Sequence, residues 1–131
     1  MKALIVEDDF TGRLLLQTFL SRYGECHVAV NGKEAVEAFR AASQAGQAYD
    51  LICMDIMMPE MDGQAALRKI RGCEEAQGIP SDRGVKIIMT TALDDMKNVF
   101  RSFHELCDAY LTKPIDTAKL LGYLQSFKLA A

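Results

Sequence analysis

The sequence predicts an α/β domain, a parallel sheet flanked by helices on both faces. Three observations lead there. Short apolar runs recur at residues 3–6, 26–30, 51–54, 85–89 and 109–111. They show little polar alternation, as strands buried on both faces do. Segments with helical spacing of apolar residues separate them, and strands alternating with helices pack as βαβ units of a parallel sheet.

The elements follow in order. After the first strand, Leu15, Phe19 and Leu20 mark a helix. After the second, Asn31 with Glu34 three residues on forms a capping-box pattern, and Ala35, Val36 and Phe39 continue its apolar face. The third helix runs from about Gly63 through Leu67 and Ile70. The fourth helical segment carries Met96, Val99, Phe100 and Phe103 at i, i+3, i+4 and i+7. The last starts near Asp116, with Ile115 and Leu120 at staple positions and Leu121, Leu124 and Phe127 on its apolar face. Residues 72–84, polar and marked by Gly and Pro, read as a surface connection with an extended helix end.

The chain has 131 residues, half of them hydrophobic and a quarter charged, the balance of one soluble globular domain. No apolar run approaches the roughly 18 residues of a membrane span, and the N-terminus is not a signal peptide. The net charge of −3 and the lack of a basic cluster argue against direct nucleic-acid binding. The cysteines, Cys26, Cys53, Cys73 and Cys107, show no metal or disulfide spacing. Cys53 and Cys107 read as small core residues, and a reducing cytoplasm fits.

In a parallel sheet of this kind ligands bind beyond the carboxyl ends of the strands. There the sequence places Glu7, Asp8 and Asp9 after the first strand, Asp55 after the third, Thr90 and Thr91 after the fourth, and Lys113-Pro114 after the fifth. Carboxylates crowded in one crevice repel one another and tolerate this best around a divalent cation. Oxygen donors without His or Cys favour a hard ion, Mg²⁺ or Mn²⁺. A lone Lys suits a phosphoryl group, and a Thr hydroxyl can donate to a phosphoryl oxygen. The set therefore has the composition of a phosphoryl-transfer site, in which a carboxylate can itself accept the group as an acyl phosphate. Asp9 reads as a helix N-terminal charge, and His27 and His104 as solvated residues.

These residues resemble the receiver domain of two-component response regulators. The resemblance spans about residues 2–128 and is carried by LIVEDD (4–9), DLICMDIMMPEMDG (50–63), MTTA (89–92) and YLTKPI (110–115). It implies a flavodoxin-like doubly wound (βα)5 fold with strand order 2-1-3-4-5, and a single receiver domain over residues 1–131 without an output domain. It implies that Asp55 is the phosphoacceptor and that Glu7, Asp8, Asp55 and the Met57 backbone carbonyl hold Mg²⁺ or Mn²⁺. Thr91 would be the switch hydroxyl, Lys113 the phosphoryl-contacting lysine with a cis bond to Pro114, and Tyr110 the aromatic switch. The implied partners are a histidine kinase or phosphotransfer protein upstream and a protein effector downstream. The effector would dock on the face built from the last two helical segments and the last strand. The protein would then be a phosphoacceptor in the cytoplasm and not an enzyme, with no role for nucleic acid or membrane.

Two departures stand out. Leu106 occupies a position where receivers commonly carry a helix-closing glycine, so the fourth helical segment would end differently. Met57 and Leu93, two residues after Asp55 and Thr91, would give the acyl phosphate an apolar rim and slow its hydrolysis. Two other classes compete. A haloacid-dehalogenase-like hydrolase needs an acid two residues after its nucleophile, where Met57 stands. A phosphorylation-independent docking module, or degenerate receiver, would have lost one of the acids or the lysine, all of which are present here.

Overall fold

The computed structural model describes residues 1–58, 60–80, 83–92 and 106–131. The elements are β1 (Lys2–Val6), α1 (Phe10–Leu20), β2 (Glu25–Ala29), α2 (Gly32–Gln44), β3 (Leu51–Asp55), α3 (Gly63–Ala76), β4 (Lys86–Thr91), β5 (Ala109–Thr112) and α4 (Thr117–Ser126). The strands form one parallel sheet in the order β2-β1-β3-β4-β5. The fourth helical segment expected around Met96 to Phe103, and with it Leu93 and His104, lies outside the described residues.

The central strands are apolar because both faces are covered. One cluster packs Leu4, Val6, Ile52, Met54, Ile87 and Met89 beneath α2 and α3. The other packs Ala3, Ile5, Leu51, Cys53 and Ile88 beneath α1 and α4. Alternate residues of each strand thus feed opposite cores, which removes the polar alternation of a one-sided sheet. The run at 26–30 departs from the expectation. β2 is the edge strand, and Val28 on it and Val30 just after it are exposed, with no further strand beside them among the described residues.

Helix starts follow local chemistry. Asp9, Asn31, Asp62 and Asp116 each cap a helix, their side chains accepting from Gly12, Glu34, Ala65, and both Ala118 and Lys119 respectively. Glu34 completes the box one residue earlier than expected, accepting from the Val30 N–H at 3.4 Å. Ile115 and Leu120 both join the second core, as a hydrophobic staple does. The stretch 72–84 opens with the extended helix end expected there. Helix α3 runs to Ala76, and Gly78, at φ +76°, closes it with bonds from Gly78 N–H to Glu75 and from Ile79 N–H to Glu74. Cys53 and Cys107 are buried, with burial pushing their thiols up to about 12 and about 11. No helix among the described residues is long and apolar enough to cross a membrane.

Candidate functional site

The carboxyl ends of β1, β3 and β5 bring Glu7, Asp55 and Lys113 together. Glu7 follows the last residue of β1, and its N–H donates to the Ala29 carbonyl at 3.1 Å, extending the sheet by one bond. Its side chain is buried (1% exposed). Asp55 ends β3 and is buried as well. Lys113 follows β5; its N–H donates to the Thr91 carbonyl at 2.8 Å, and its bond to Pro114 is cis. The Lys113 Nζ donates to Glu7 Oε1 at 2.7 Å and to Asp55 Oδ2 at 3.0 Å. The other Asp55 oxygen, Oδ1, accepts from the Met57 N–H at 3.2 Å.

Electrostatics set the character of this cluster. Burial, then the neighbouring Asp55 carboxylate, push the Glu7 carboxyl up to about 7, against the opposing pull of Lys113. Burial works against the Lys113 ammonium, but its bonds to Glu7 and Asp55 outweigh that and raise its pKa. A single lysine therefore serves two buried carboxylates and leaves the pair short of positive charge.

The residues fit a hard divalent cation. Glu7 Oε2 is buried with no hydrogen-bond partner among the described residues, an arrangement that costs free energy unless something meets it. One carboxylate oxygen from each of Glu7, Asp8 and Asp55 lies within 4.8 Å of the other two, and Asp8 is exposed to solvent. Oxygen donors with one water-facing member match the ligand preferences of Mg²⁺.

The remaining expected residues are placed as follows. Thr91 ends β4, buried, and its Oγ1 donates to the Ala92 carbonyl at 3.0 Å. Thr90 pairs with Asp55 across the ladder. Tyr110 lies on β5, half-buried against the larger core. Met57 is 64% exposed. Asp9 is a cap and not a member of the carboxylate cluster. His27, on the edge strand, bonds Tyr49 Oη through Nδ1 at 2.7 Å and faces Glu25 at 3.2 Å, and is not a member of the carboxylate cluster.

Three contributors went unread in the sequence. Arg13 Nη1 donates to the Glu7 backbone carbonyl at 3.0 Å and so holds the acid's main chain against α1. Gly12 leaves room for the acid itself, since a Cβ there would lie 2.9 Å from Glu7 Oε1. Gly63 opens α3 against β3, its N–H donating to the Ile56 carbonyl at 2.9 Å. The glycine of the MDG string was the available signal, because a glycine just inside a helix start has no capping role of its own. Beside the cluster lies a cavity of about 270 Å³ lined by Glu7, Leu15, Leu16, Lys113, Pro114 and Ile115. Phe10 and Leu14 are exposed on the same helix.

Comparison with known proteins agrees with this geometry. The family model for the response regulator receiver domain matches residues 3–125. The probable transcriptional regulator ycf27 of Cyanidium caldarium is 34% identical over 124 residues, 94% of this chain and 44% of that protein. The chain thus spans less than half the length of that relative. The receiver domain of Ssk1 from Saccharomyces cerevisiae, solved with the histidine phosphotransfer protein Ypd1, superposes with a TM-score of 0.81 at 30% identity, covering 97% of this chain and 88% of that one. The receiver domain of sensor histidine kinase PA1611 from Pseudomonas aeruginosa PAO1, solved with magnesium in its active-site cleft, gives 0.74 at 30% identity, covering 96% and 95%. With its family model matched over nearly its whole length and the strand order to go with it, the chain belongs to the response regulator receiver domains of two-component signalling.

Proposed function

We propose that Asp55 accepts a phosphoryl group from the phosphohistidine of a sensor kinase or phosphotransfer protein. The observation that carries this reading is the setting of Asp55. It is a buried carboxylate at a strand end, held on one oxygen by the Met57 N–H and on the other by Lys113 Nζ, which it shares with Glu7, whose second oxygen has no hydrogen-bond partner among the described residues. A carboxylate oxygen attacks phosphorus, the new P–O bond forms as the P–N bond breaks, and the imidazole leaves. The ammonium of Lys113 follows the charge from the carboxylate to the phosphoryl oxygens. Glu7, Asp8, Asp55 and the Met57 carbonyl would hold Mg²⁺, which supplies neutralisation of phosphoryl charge. The relative solved with magnesium in its active-site cleft supports a magnesium ion in this cleft.

The Thr91 hydroxyl, now bonded to the Ala92 carbonyl, is the group that turns to a new phosphoryl oxygen. Tyr110 on the adjoining strand then repacks, and the face of β5 and α4 changes for a downstream protein. This is a shift between two populated states, biased by local charge. The upstream partner docks beside the site, where Phe10, Leu14 and Leu15 are exposed and the apolar cavity opens next to Lys113. The phosphotransfer complex of the yeast relative supports a partner of that kind.

The test uses phosphoramidate, a small donor with the P–N bond of phosphohistidine. The chain is incubated with it and Mg²⁺, reduced with borohydride and mapped by mass spectrometry. Aspartyl phosphate is then read as homoserine at position 55. Label at another carboxylate, or none where a known receiver is labelled in parallel, overturns the assignment.

A further inference from the structure

The free edge of the sheet carries a pattern that the phosphoryl chemistry does not use. β2 pairs with β1 residue for residue, from Lys2 with Glu25 to Val6 with Ala29, without a bulge. The Glu25 N–H donates to the Met1 carbonyl at 3.0 Å, and the Ala29 carbonyl accepts from the Glu7 N–H at 3.1 Å. An extended residue points its N–H and C=O to one side of the strand, and its neighbours point theirs to the other. The backbone groups of Glu25, His27 and Ala29 therefore face β1, and those of Cys26, Val28 and Val30 face outward. The Val30 N–H agrees with that phase, since it donates to Glu34 Oε1 at 3.4 Å. No further strand lies beside β2 among the described residues.

The side chains of the same three residues share one face of the sheet. Cys26 packs against the core beneath α1 and α4, whereas Ala29 belongs to the core beneath α2 and α3. Val28 and Val30, on the face of Cys26, are 44% and 38% exposed. Natural edge strands are commonly protected from pairing by Lys, Pro, a bulge or a covering segment. Residues 25–30, Glu-Cys-His-Val-Ala-Val, contain no Lys or Pro, and the ladder has no bulge.

This edge is complementary to itself. Its outward residues are symmetric about Val28. An antiparallel copy related by a twofold axis through Val28 sets Val28 against the partner's Val28, and Cys26 against the partner's Val30. Each such pair can exchange N–H···O=C bonds in both directions, and their apolar side chains meet on one face. A slip of one residue would set outward groups against inward ones and lose those bonds. The long bond from Val30 to Glu34 is the contact given up. Charge agrees with the same register. The exposed Glu25 comes opposite the partner's Asn31, two positions before the partner's exposed Lys33, so acid approaches base at both ends of the pairing.

We infer that the chain associates with a second copy of itself through β2, in a twofold dimer whose two sheets run on into one. Contact along one strand is small, below the roughly 1,200 Å² at which standard interfaces begin, so the dimer is weak and concentration-dependent. β5 lies at the opposite edge, so both copies keep the face of β5 and α4 open, and the dimer offers two such faces at once. The inference stands independently of the phosphoacceptor reading.

Sedimentation velocity on the whole chain tests it, at concentrations from about 5 to about 500 µM, the range of weak association. The average mass should climb from that of one chain toward twice that value. Val28→Lys, at an exposed position, sets two ammonium groups against each other at the axis and should weaken association about tenfold or more, with Tm within about 2 °C of the parent. Disulfide trapping reads the register. In a background of Cys26→Ala and Cys73→Ser, which removes the partly exposed thiols, Val28→Cys should oxidise to a linked dimer. Its Cα would lie about 5.5 Å from its own copy, within disulfide reach. Glu37→Cys, exposed on α2, should not link. A parent that stays monomeric at the highest concentration overturns the inference and leaves the edge to a strand of another protein. Association that Val28→Lys does not weaken puts the contact on another face, and Val28→Cys that links no faster than Glu37→Cys refutes the axis; either overturns it as well.

Discussion

Two glycines of α3 should respond to the same substitution with opposite signs. A methyl group on Gly63 would lie 2.3 Å from the Asp55 carbonyl oxygen, 2.9 Å from Ile56 Cα and 3.0 Å from Met89 Cε. Two of those three atoms are backbone, so relief requires moving the start of α3 by roughly 1 Å, and overpacking of that kind costs about 1–3 kcal/mol. The backbone character of the obstacle puts Gly63→Ala in the upper half of that range, a fall of about 7–11 °C in Tm for a chain of this size. Gly72, nine positions further along and exposed, has nothing within 4 Å of the same methyl. Gly72→Ala therefore gains only helix propensity, about 0.5–1 kcal/mol, and raises Tm by about 2–4 °C. Thermal melts followed by circular dichroism at 222 nm read both. Gly63→Ala should also slow phosphorylation by acetyl phosphate about a hundredfold, because the displaced carbonyl belongs to the phosphoacceptor. A Gly63→Ala chain that melts within about 2 °C of the parent would refute the claim that close approach of α3 to β3 builds the site.

Further outcomes follow from the site itself. Lys113→Met removes the one ammonium bonded to Glu7 and Asp55; phosphorylation by acetyl phosphate should fall about 10²–10³-fold while Mg²⁺ still binds, as calorimetric titration would show. The Glu7 carboxyl titrates near 7 in the folded chain against an ordinary 4.5 for a solvated glutamate, so the folded state holds the extra proton in between. Metal-free stability should accordingly fall as pH rises from about 5 to 7, by up to about 3 kcal/mol, and saturating Mg²⁺ should flatten the slope. Urea melts in chelator and in Mg²⁺ check this, and a metal-free stability that rises over that window contradicts it. Met57→Asn, alone or with Leu93→Glu, should shorten the phosphoryl lifetime several-fold by making the rim polar; an unchanged lifetime removes the role given to that rim.

Much of this was legible from residue chemistry. Strands with both faces covered have no polar alternation, so β1, β3 and β4 stood out as apolar runs. The run at 26–30 also read as a buried strand, yet Val28 and Val30 are exposed, because edge position is a property of strand order and not of the strand. Asn31 and Asp116 were readable because caps act within one turn. The acids and the lysine were readable because parallel sheets collect strand ends at one edge. Arg71 and Glu74 were not, since three residues apart on a helix they look like an ordinary solvated pair. Only the tertiary approach of Asp108 and of the Val85 and Leu106 backbone makes them a buried cluster. Arg13 is similar: its partner is a backbone carbonyl, which leaves no trace in residue identity.

The central claim is that Asp55, in its acidic and cation-dependent setting, carries the phosphoryl group. Intact mass after incubation with acetyl phosphate and Mg²⁺ tests it most directly, run beside Asp55→Asn and beside the parent in chelator. The account predicts the mass of one added phosphoryl in the parent with Mg²⁺ and none in either control. An adduct that persists in Asp55→Asn, or forms equally well in chelator, would contradict it.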